Sequence, residues 1–331
     1  MKLLMLGGTE FVGRAITEDA LDRGWEVTVF HRGRHAPPPG AGSLHGDRTE
    51  PGGLAALSHG TWDVVVDTWS GAPTAVRDSA RLLHGRVRHY VYVSSRSVHA
   101  YPAPAGLTED GPLVDGSPDA GPVGYAEDKR GGELAALEAF GADHALLVRA
   151  GLVLGPYENI GRLPWWLTRM AQGGRVLAPG PQDLPLQYVD VRDLARWTLD
   201  AAGAGRAGAW NIASPSGHAT IGSLLTACAA ATGDRAELVW TDPARILAAG
   251  VEPWIELPIW LPAGELHDFM HGGDVSKALA GGLVCRPVED TVNDTWAWLR
   301  SLDGAPPHRP DRPRPGLSPA REAELLTGPT G

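Results

Sequence analysis

Short apolar runs alternate with stretches of helical periodicity through the first 150 residues. Runs that are apolar at nearly every position predict strands covered by helices on both faces, as in a parallel sheet. Strands are predicted at residues 3–6, 26–30, 63–67, 89–94 and 145–149, with a weaker candidate at 43–46. Helices are predicted between them at residues 12–23, 72–84 and 125–140. The alternation predicts an α/β fold built from βαβ units.

Beyond about residue 150 the pattern changes. Helical stretches continue at residues 163–172, 191–202, 221–231 and 288–302, and nine of the twelve tryptophans lie in this part. The prediction is a smaller second lobe, followed by a Pro-rich tail that ends in a short helix at 318–326, capped by Ser318. The predicted domains are residues 1–150 with returning elements to about 215, residues 151–303, and the tail 304–331.

Composition excludes several classes of protein. The 331 residues are 43% hydrophobic and 21% charged, which suffices for an ordinary core. The net charge of −10 argues against binding to nucleic acid or to a membrane. The two cysteines form no CxxC pair, and no metal site is predicted. Without a signal peptide or a long apolar stretch, a soluble cytoplasmic protein is expected.

A glycine-rich turn, Gly7-Gly8-Thr9-Glu10-Phe11-Val12-Gly13, follows the first predicted strand and opens a helix. Gly7 permits a tight turn, and a helix N-terminus offers free N–H groups and partial positive charge to a pyrophosphate. Glu10 stands where the middle glycine of a GxxGxxG turn would lie. The context predicts a dinucleotide site rather than an ordinary turn. The predicted contacts in this turn are Gly7, Thr9, Glu10, Phe11, Val12 and Gly13.

The end of the second strand favours NADP(H), with NAD(H) possible. This position normally offers an acid to the adenosine ribose, but here it carries Arg32 and Arg34, which could bind a 2′-phosphate. The alternative is a solvated basic loop. Asp47 is a weaker candidate for the adenine amino group, and Thr68, after the strand at 63–67, completes the predicted cofactor residues.

Tyr125 and Lys129 stand four residues apart, so both side chains share one face of a predicted helix. A tyrosine acts as an acid or base near neutral pH when a neighbouring ammonium stabilises its phenolate. Ser95, at the end of a central strand, is predicted to bind the substrate oxygen. Ser94 is expected to bond to the backbone instead. The alternative for the pair is a surface Tyr and Lys on a solvated helix.

Substrate contacts are predicted mainly among the aromatic residues of the second half, because small-molecule sites have apolar walls and few polar groups. Core packing is the alternative for any single tryptophan. The predicted aromatic contacts are Trp69, Trp165, Trp166 and Trp254. Asn159, Arg162 and Gln187 are the polar candidates.

Five motifs together resemble the short-chain dehydrogenase/reductase superfamily, in its NAD(P)-dependent epimerase/dehydratase branch. They are the Gly7–Gly13 turn, Val93-Ser94-Ser95-x-x-Val98, Tyr125-x-x-x-Lys129 with Glu133, Arg149-x-Gly151-x-x-x-Gly155-Pro156, and Val189-x-Val191-x-Asp193-Leu194-Ala195. They span roughly residues 1–215. The resemblance implies a doubly wound Rossmann sheet with a small C-terminal substrate lobe, and Ser95, Tyr125 and Lys129 as the catalytic set.

The chain departs from the family pattern at three positions. Glu10 replaces a glycine, and His99 stands where many members carry tyrosine. Leu186 occupies the place at which sugar-nucleotide epimerases carry an arginine that grips the diphosphate. A sugar-nucleotide substrate is therefore disfavoured.

Three functions stay open. The first is an NADP(H)-dependent oxidoreductase that reduces a carbonyl or imine of a small, largely apolar metabolite. The second is a redox-neutral epimerase, isomerase or dehydratase that retains its cofactor. The third is a non-catalytic NADP(H) sensor, which the intact Tyr125 and Lys129 disfavour. A small-molecule substrate and a monomer or homodimer are expected.

Overall fold

The computed structural model describes residues 1–327, in two compact units. The first unit combines Met1–Val153 with two later segments, Val191–Ala213 and Asp274–Val284. The second unit contains Leu154–Asp190, Ser214–Gly273 and the chain from Cys285 onward. Each unit is therefore assembled from three separate stretches of sequence.

The strands are numbered here in chain order. They are β1 (Lys2–Leu6), β2 (Glu26–His31), β3 (Gly42–His45), β4 (Trp62–Asp67), β5 (Val87–Ser95), β6 (Ala145–Ala150), β7 (Leu152–Leu154), β8 (Gly174–Pro179), β9 (Pro185–Leu186), β10 (Tyr188–Asp190), β11 (Gly208–Ile212), β12 (Ala219–Thr220), β13 (Ala236–Thr241), β14 (Pro253–Trp254) and β15 (Leu257–Pro258).

The helices are numbered in the same way. They are α1 (Phe11–Asp22), α2 (Pro73–Leu83), α3 (Tyr125–Phe140), α4 (Arg162–Gln172), α5 (Val191–Gly203), α6 (Ile221–Ala231), α7 (Pro243–Ala248), α8 (Glu265–His271), α9 (Ser276–Ala280), α10 (Val288–Arg300) and α11 (Pro319–Thr327). One-turn 3-10 helices lie at Ala55–Leu57 and Arg96–Val98.

The first unit is built on a parallel sheet, which confirms the predicted fold class. Within residues 1–327 its seven strands follow the order β11-β6-β5-β4-β1-β2-β3. The chain winds outward in one direction through β2 and β3 and in the other through β4, β5 and β6. The strand order therefore reverses between β1 and β4, and ligands bind outside the carboxyl ends of strands at such a switch point.

The sheet is apolar on both faces because helices cover both. Helices α2 and α3 pack together, and α1 packs against α5. The core beside α2 and α3 includes Leu4, Val65, Tyr90 and Phe140. The ring centroids of Tyr90 and Phe140 lie 4.9 Å apart. This double burial explains why the strands of the sheet lack a polar alternation.

The second unit contains the parallel pair β8 and β13, together with helices α4, α6 and α10. Helix α11 packs against β8: Glu322 pairs with Arg169 at 2.5 Å and accepts the backbone N–H of Leu177 at 3.0 Å. The predicted helix at 318–326 is thereby confirmed, and Ser318 Oγ accepts the backbone N–H of Arg321 at 3.3 Å, as its role as a cap requires. No helix in residues 1–327 has the length and apolar character needed to span a membrane.

Candidate active site

The turn after β1 requires glycine at two positions, Gly7 and Gly13. Gly7 has a φ of 107°, and a Cβ atom there would lie 2.7 Å from Oγ1 of Thr68, at the end of neighbouring β4. A Cβ atom on Gly13 would lie 3.0 Å from the Cα atom of Gly8, so the first turn of α1 packs closely against the glycine turn. Thr17 links the helix to the turn, since its hydroxyl lies 2.8 Å from the Gly13 carbonyl and 3.4 Å from the Gly8 carbonyl. Any larger residue at Gly7 or Gly13 would push the loop open.

Glu10 does not need to be glycine in this turn. Its backbone is extended, with φ −138° and ψ 151°, which any residue adopts. The left-handed conformation falls on the next residue, Phe11, with a φ of 33°. A non-glycine residue in that region costs on the order of 1–3 kcal/mol, and such strain clusters at ligand-binding loops. The departure from the glycine pattern therefore leaves the turn intact.

The N-terminus of α1 suits an anionic group. The side chain of Glu10, its N-cap residue, makes no capping hydrogen bond, and within this described helix the first turn carries no acidic residue. The N–H groups and the positive end of the helix dipole thus face no competing carboxylate in that turn. Thr9 and Val12 lie in the turn and in the first turn of α1. These residues fit the pyrophosphate of a dinucleotide.

Positive charge gathers at the ends of β2 and β3. Arg32 and Arg34 are exposed, and both guanidinium groups help to lower the pKa of Asp47. The main cause of that lowering is Thr49, whose hydroxyl and backbone N–H donate to Asp47 at 2.6 and 3.0 Å. Three predicted cofactor residues, which follow the neighbouring strands β2 and β3, therefore lie at one edge.

His31 fixes the loop that carries the two arginines. The backbone N–H of Gly33 donates to its Nδ1 at 3.2 Å, so Nε2 carries the proton and donates to Ser43 Oγ at 2.7 Å. Its ring lies 4.6 Å from that of His45. Burial and His45 lower the pKa of His31, in agreement with a neutral ring.

Tyr125 and Lys129 lie at the start of α3 on one face, as the four-residue spacing predicts. Tyr125 is 39% exposed and Lys129 is 3% exposed. The ammonium of Lys129 donates to the backbone carbonyls of Trp69 at 2.5 Å and Val93 at 2.7 Å, and it lies 4.9 Å from the ring of Tyr92. The lysine thus reaches the carboxyl ends of β4 and β5, and the alternative of a solvated lysine is excluded.

Ser95 ends β5 and caps the one-turn helix Arg96–Val98. Its hydroxyl accepts the backbone N–H of Ser97 at 3.1 Å and donates to Ser97 Oγ at 3.1 Å. Ser94 was expected to bond to the backbone, and that expectation is wrong. Its buried hydroxyl has no hydrogen-bond partner among residues 1–327. Ser94 pairs in register with Arg149 of β6, whose guanidinium is already bound to other groups.

A buried ion pair lies behind Trp69. Asp67, which ends β4, binds the guanidinium of Arg48 through two contacts of 2.7 and 2.5 Å. Tyr90 donates its hydroxyl to the same carboxylate at 2.7 Å. The guanidinium lies 4.7 Å from the indole ring of Trp69, so that ring packs on Arg48. Despite the cost of burial, the Arg48 guanidinium holds the pKa of Asp67 below its usual range.

A second buried pair joins α3 to β6. Arg149 binds Glu133 through contacts of 2.8 and 3.0 Å, and it also donates to the backbone carbonyl of Glu109 at 2.8 Å. His99, 2% exposed, lies beside this group and contacts Asn211 at 3.3 Å. Burial lowers the pKa of His99, and the charge of Arg149 adds to that effect. This network anchors the long segment between Ser95 and Tyr125, because Glu109 of that segment accepts a hydrogen bond from Arg149.

In the second unit, two of the predicted substrate residues have structural contacts. Trp166 is fully buried and donates its indole N–H to the Pro258 carbonyl at 2.8 Å. The amide of Gln187 donates to the carbonyls of Ser214 at 2.9 Å and Gly273 at 2.8 Å, and its oxygen accepts the Gly273 N–H at 3.0 Å. Their polar atoms therefore serve the fold of this unit.

Two other predicted contacts of the second unit, Trp165 and Trp254, lie nearer its surface. Trp165 is partly exposed, and Gly316 passes so close to its indole that only glycine fits there. Trp254 is also partly exposed, with its ring centroid 6.1 Å from that of His271. Asn159 is buried and accepts the Arg309 N–H on its backbone carbonyl. A role of these residues in substrate binding stays a prediction.

A histidine pair on α8 has no place among the predicted site residues. His267 and His271 stand four apart on this helix, a spacing that also occurs in metal sites. His271 accepts the Gln187 N–H on Nδ1, and its Nε2 contacts the Ile259 carbonyl. His267 contacts the Pro185 carbonyl through Nε2. Three of the four ring nitrogens are thus engaged by the backbone, and within residues 1–327 no cluster of three or more His, Cys, Asp or Glu side chains could hold a metal ion.

Solved structures share this fold. UDP-glucose 4-epimerase of Thermus thermophilus, in complex with NAD, is 21% identical with a TM-score of 0.62, covering 91% of this chain and 100% of that one. The Bordetella bronchiseptica enzyme WbmF, in complex with NAD+, is 19% identical with a TM-score of 0.62, covering 91% and 92%. dTDP-glucose 4,6-dehydratase of Bacillus anthracis str. Ames, in complex with NAD, is 15% identical with a TM-score of 0.64, covering 92% and 97%.

These identities establish a common architecture and nothing finer. No curated protein matches the chain. The model of the NAD dependent epimerase/dehydratase family matches residues 3–213, which include the glycine turn, Ser95, Tyr125 and Lys129. The chain belongs to the NAD-dependent epimerase/dehydratase family.

Proposed function

We propose that this protein is an NADP(H)-dependent oxidoreductase that reduces a carbonyl or imine of a small, largely apolar metabolite. The observation that carries the proposal is the ammonium of Lys129, buried and bonded to the Val93 carbonyl, two residues before Ser95. Burying an ammonium costs free energy unless hydrogen bonds replace those to water, and here the carbonyls of Trp69 and Val93 do so. Lys129 accompanies a tyrosine on the same helix face.

Each residue of the set has a distinct role. Bound NADP(H) would supply or accept a hydride at its nicotinamide ring. Ser95 would donate a hydrogen bond that orients the substrate oxygen. Tyr125 would give its hydroxyl proton to that oxygen as negative charge develops there, and Lys129 would stabilise the phenolate that remains. The partial exposure of Tyr125 lets a substrate reach its hydroxyl.

The preference for NADP(H) rests on charge at the adenosine edge. Arg32 and Arg34 are exposed there, and no acid stands at the end of β2 to bind a ribose hydroxyl. Arg48 contributes nothing to this edge, since Asp67 binds its guanidinium. NAD(H) remains the alternative cofactor, because the structural neighbours were solved with NAD.

The substrate is proposed to be neutral or weakly charged. Leu186 is fully buried in β9 and offers no charge for a diphosphate. The net charge of −10 opposes a dianionic ligand over long range. The tryptophans after residue 150 favour an apolar or aromatic compound.

A redox-neutral epimerase or dehydratase is the second candidate. It is favoured by the matching family and by the epimerase and dehydratase among the structural neighbours. Such an enzyme retains its cofactor and regenerates it within each turnover, whereas a reductase consumes NADPH in proportion to product. The two candidates thus differ in cofactor stoichiometry.

The test combines two measurements. The absorbance of the purified protein reports retained cofactor, and oxidation of added NADPH is followed with a panel of aromatic ketones. In parallel, thermal unfolding with NADP+ present compares UDP-sugars with the ketones, since a ligand at a hundred times its Kd adds about 2.7 kcal/mol of stability. Stabilisation by UDP-sugars alone, with tightly held cofactor, would replace the reductase by the second candidate.

A further inference from the structure

We propose that Arg48 and Asp67 are positioning residues that fix the ammonium of Lys129 through the backbone carbonyl of Trp69. Lys129 matters here as a catalytic residue, so the inference rests on the proposed function. The contacts that support the inference do not depend on any catalytic activity, and the first test does not require activity either.

The first step of the chain is the rigid ion pair. Asp67 is fully buried, and both of its oxygens bind Arg48 in the parallel geometry that a guanidinium favours. Tyr90 adds a third donor at 2.7 Å. A carboxylate held from several sides cannot rotate without losing a charge-assisted hydrogen bond.

The second step leads from the pair to Trp69. Its backbone N–H donates to Asp67 at 2.9 Å, and its ring lies over Arg48 at 4.7 Å. The indole N–H donates to the Ala72 carbonyl at 2.9 Å. Main chain and side chain of Trp69 are therefore both fixed, and with them the direction of its carbonyl.

The third step leads from Trp69 to Lys129. The Trp69 carbonyl accepts the Lys129 ammonium at 2.5 Å and the Tyr92 hydroxyl at 3.0 Å. The Val93 carbonyl is the second acceptor of the ammonium, at 2.7 Å. A rotation of the Trp69 peptide would remove one of these two acceptors from a buried cation.

Stability alone does not account for the pair. Replacing a buried ion pair by apolar residues of similar volume is often neutral or stabilising. Apolar residues would not accept the Trp69 N–H or hold its ring, so the pair supplies an orientation.

The first test follows the ammonium itself. The chain has only three lysines, Lys2, Lys129 and Lys277, so 15Nζ-lysine labelling gives few signals, and Lys129→Arg assigns the one of interest. Asp67→Leu is expected to speed hydrogen exchange of the Lys129 ammonium by about tenfold, the effect of losing one charge-assisted hydrogen bond. Arg48→Met/Asp67→Leu leaves no unpaired buried charge and serves if the single variant does not fold.

Glu133→Gln is the matched control. Glu133 is equally buried and binds Arg149 through two contacts, but its contacts do not include Trp69. It is expected to lower thermal stability while leaving the Lys129 exchange rate unchanged. An unchanged rate in both Asp67 variants, or an equal change in the control, would overturn the inference.

The second test is a double-mutant cycle on the Kd for NADP+, because Lys129 is also proposed to bind the ribose of the nicotinamide. In the protein that retains Lys129, Asp67→Leu is expected to weaken NADP+ binding by about tenfold. In a Lys129→Met background, it is expected to have no further effect. Equal weakening in both backgrounds would mean that Asp67 acts independently of Lys129. If the protein bound neither NADP+ nor NAD+, the proposed function would fail, and the exchange experiment would still decide the positioning.

Discussion

The hydroxyl of Ser95 accepts the backbone N–H of Ser97 over 3.1 Å and points its own proton at the Ser97 side chain. The residue assigned to the substrate oxygen is therefore also the cap of a short helix. The hydrogen bond from the Ser97 N–H can be retained when substrate binds, because it uses a lone pair of the Ser95 oxygen and not its proton. In the proposed role, the Ser95 proton would change partner, from Ser97 Oγ to the substrate oxygen.

Ser95→Ala should lower both turnover and stability. Loss of the cap costs about 1 kcal/mol, and loss of one oxyanion donor lowers kcat by about 10²–10³-fold. Urea unfolding and steady-state kinetics measure the two effects. Ser97→Ala is the control, since it keeps the backbone donor and should keep the activity. A Ser95→Ala enzyme as active as the wild type would exclude the assigned role.

Tyr125→Phe should abolish turnover and leave the Kd for cofactor nearly unchanged. The variant removes only a hydroxyl that is proposed to give up a proton, and loss of such an acid costs about 10²–10⁴-fold in rate. Kinetics and fluorescence titration with NADPH provide the two values. Tyr101→Phe, at another exposed tyrosine, should match the wild type in both. Full activity without the Tyr125 hydroxyl is the contrary outcome.

Arg32→Ala and Arg34→Ala should weaken the binding of NADPH far more than the binding of NADH. Each charge-assisted contact with a 2′-phosphate contributes about 1.5–3 kcal/mol, or roughly ten- to a hundredfold in affinity. Calorimetric titration with both cofactors tests this. Arg88→Ala, at an exposed arginine within β5, should change neither affinity. If the unmodified protein binds NADH as tightly as NADPH, the assignment to NADP(H) is wrong.

Stability should decline as pH falls below about 6.5. Burial lowers the pKa of His31, His89 and His99, so each ring stays neutral in the folded protein at a pH at which the unfolded chain already binds a proton. The folded state is then fully favoured above the ordinary histidine value and loses stability as pH drops through it. The loss is at most about 1.4 kcal/mol per pH unit for each histidine.

The free energy of unfolding in urea at pH 7.5 and 5.5 measures this decline. His99→Gln should make the decline smaller, because it removes one of the three buried histidines. A free energy that does not fall over this range would contradict the predicted behaviour.

Local pattern predicted the central elements well. The apolar runs at 3–6 and 63–67 are β1 and β4, and the 125–140 helix is observed with the same bounds. The pattern missed β8, β11 and β13, which have five or six residues and begin with exposed or half-buried positions at Gly174, Gly208 and Ala236. Their strand pairing comes from residues distant in sequence, such as β11 beside β6. The local sequence of these strands therefore does not predict which strands they pair with.

The candidate site shows the same division. Tyr125 and Lys129 could be found because helix geometry converts a spacing of four into a shared face. Arg48 follows β3 and Asp67 ends β4, and β1 and β2 lie between these two strands in the sheet, so the pairing depends on how the whole sheet folds. The two acceptors of Lys129 are backbone carbonyls, which carry no sequence signature. Trp69 was therefore noticed for its ring rather than for its carbonyl.

The three-part make-up of the first unit bears on how the protein is synthesised. Its edge strand β11 and the segment Asp274–Val284 leave the ribosome long after β1 to β6. At about 5–20 residues per second, the sheet waits on the order of ten seconds for its last pieces, with the β6 edge open to other strands. An N-terminal fragment ending near residue 150 would keep that edge permanently. Reporter fusions and nascent-chain capture at this length are therefore expected to yield aggregates, while chains extended past Val284 escape them.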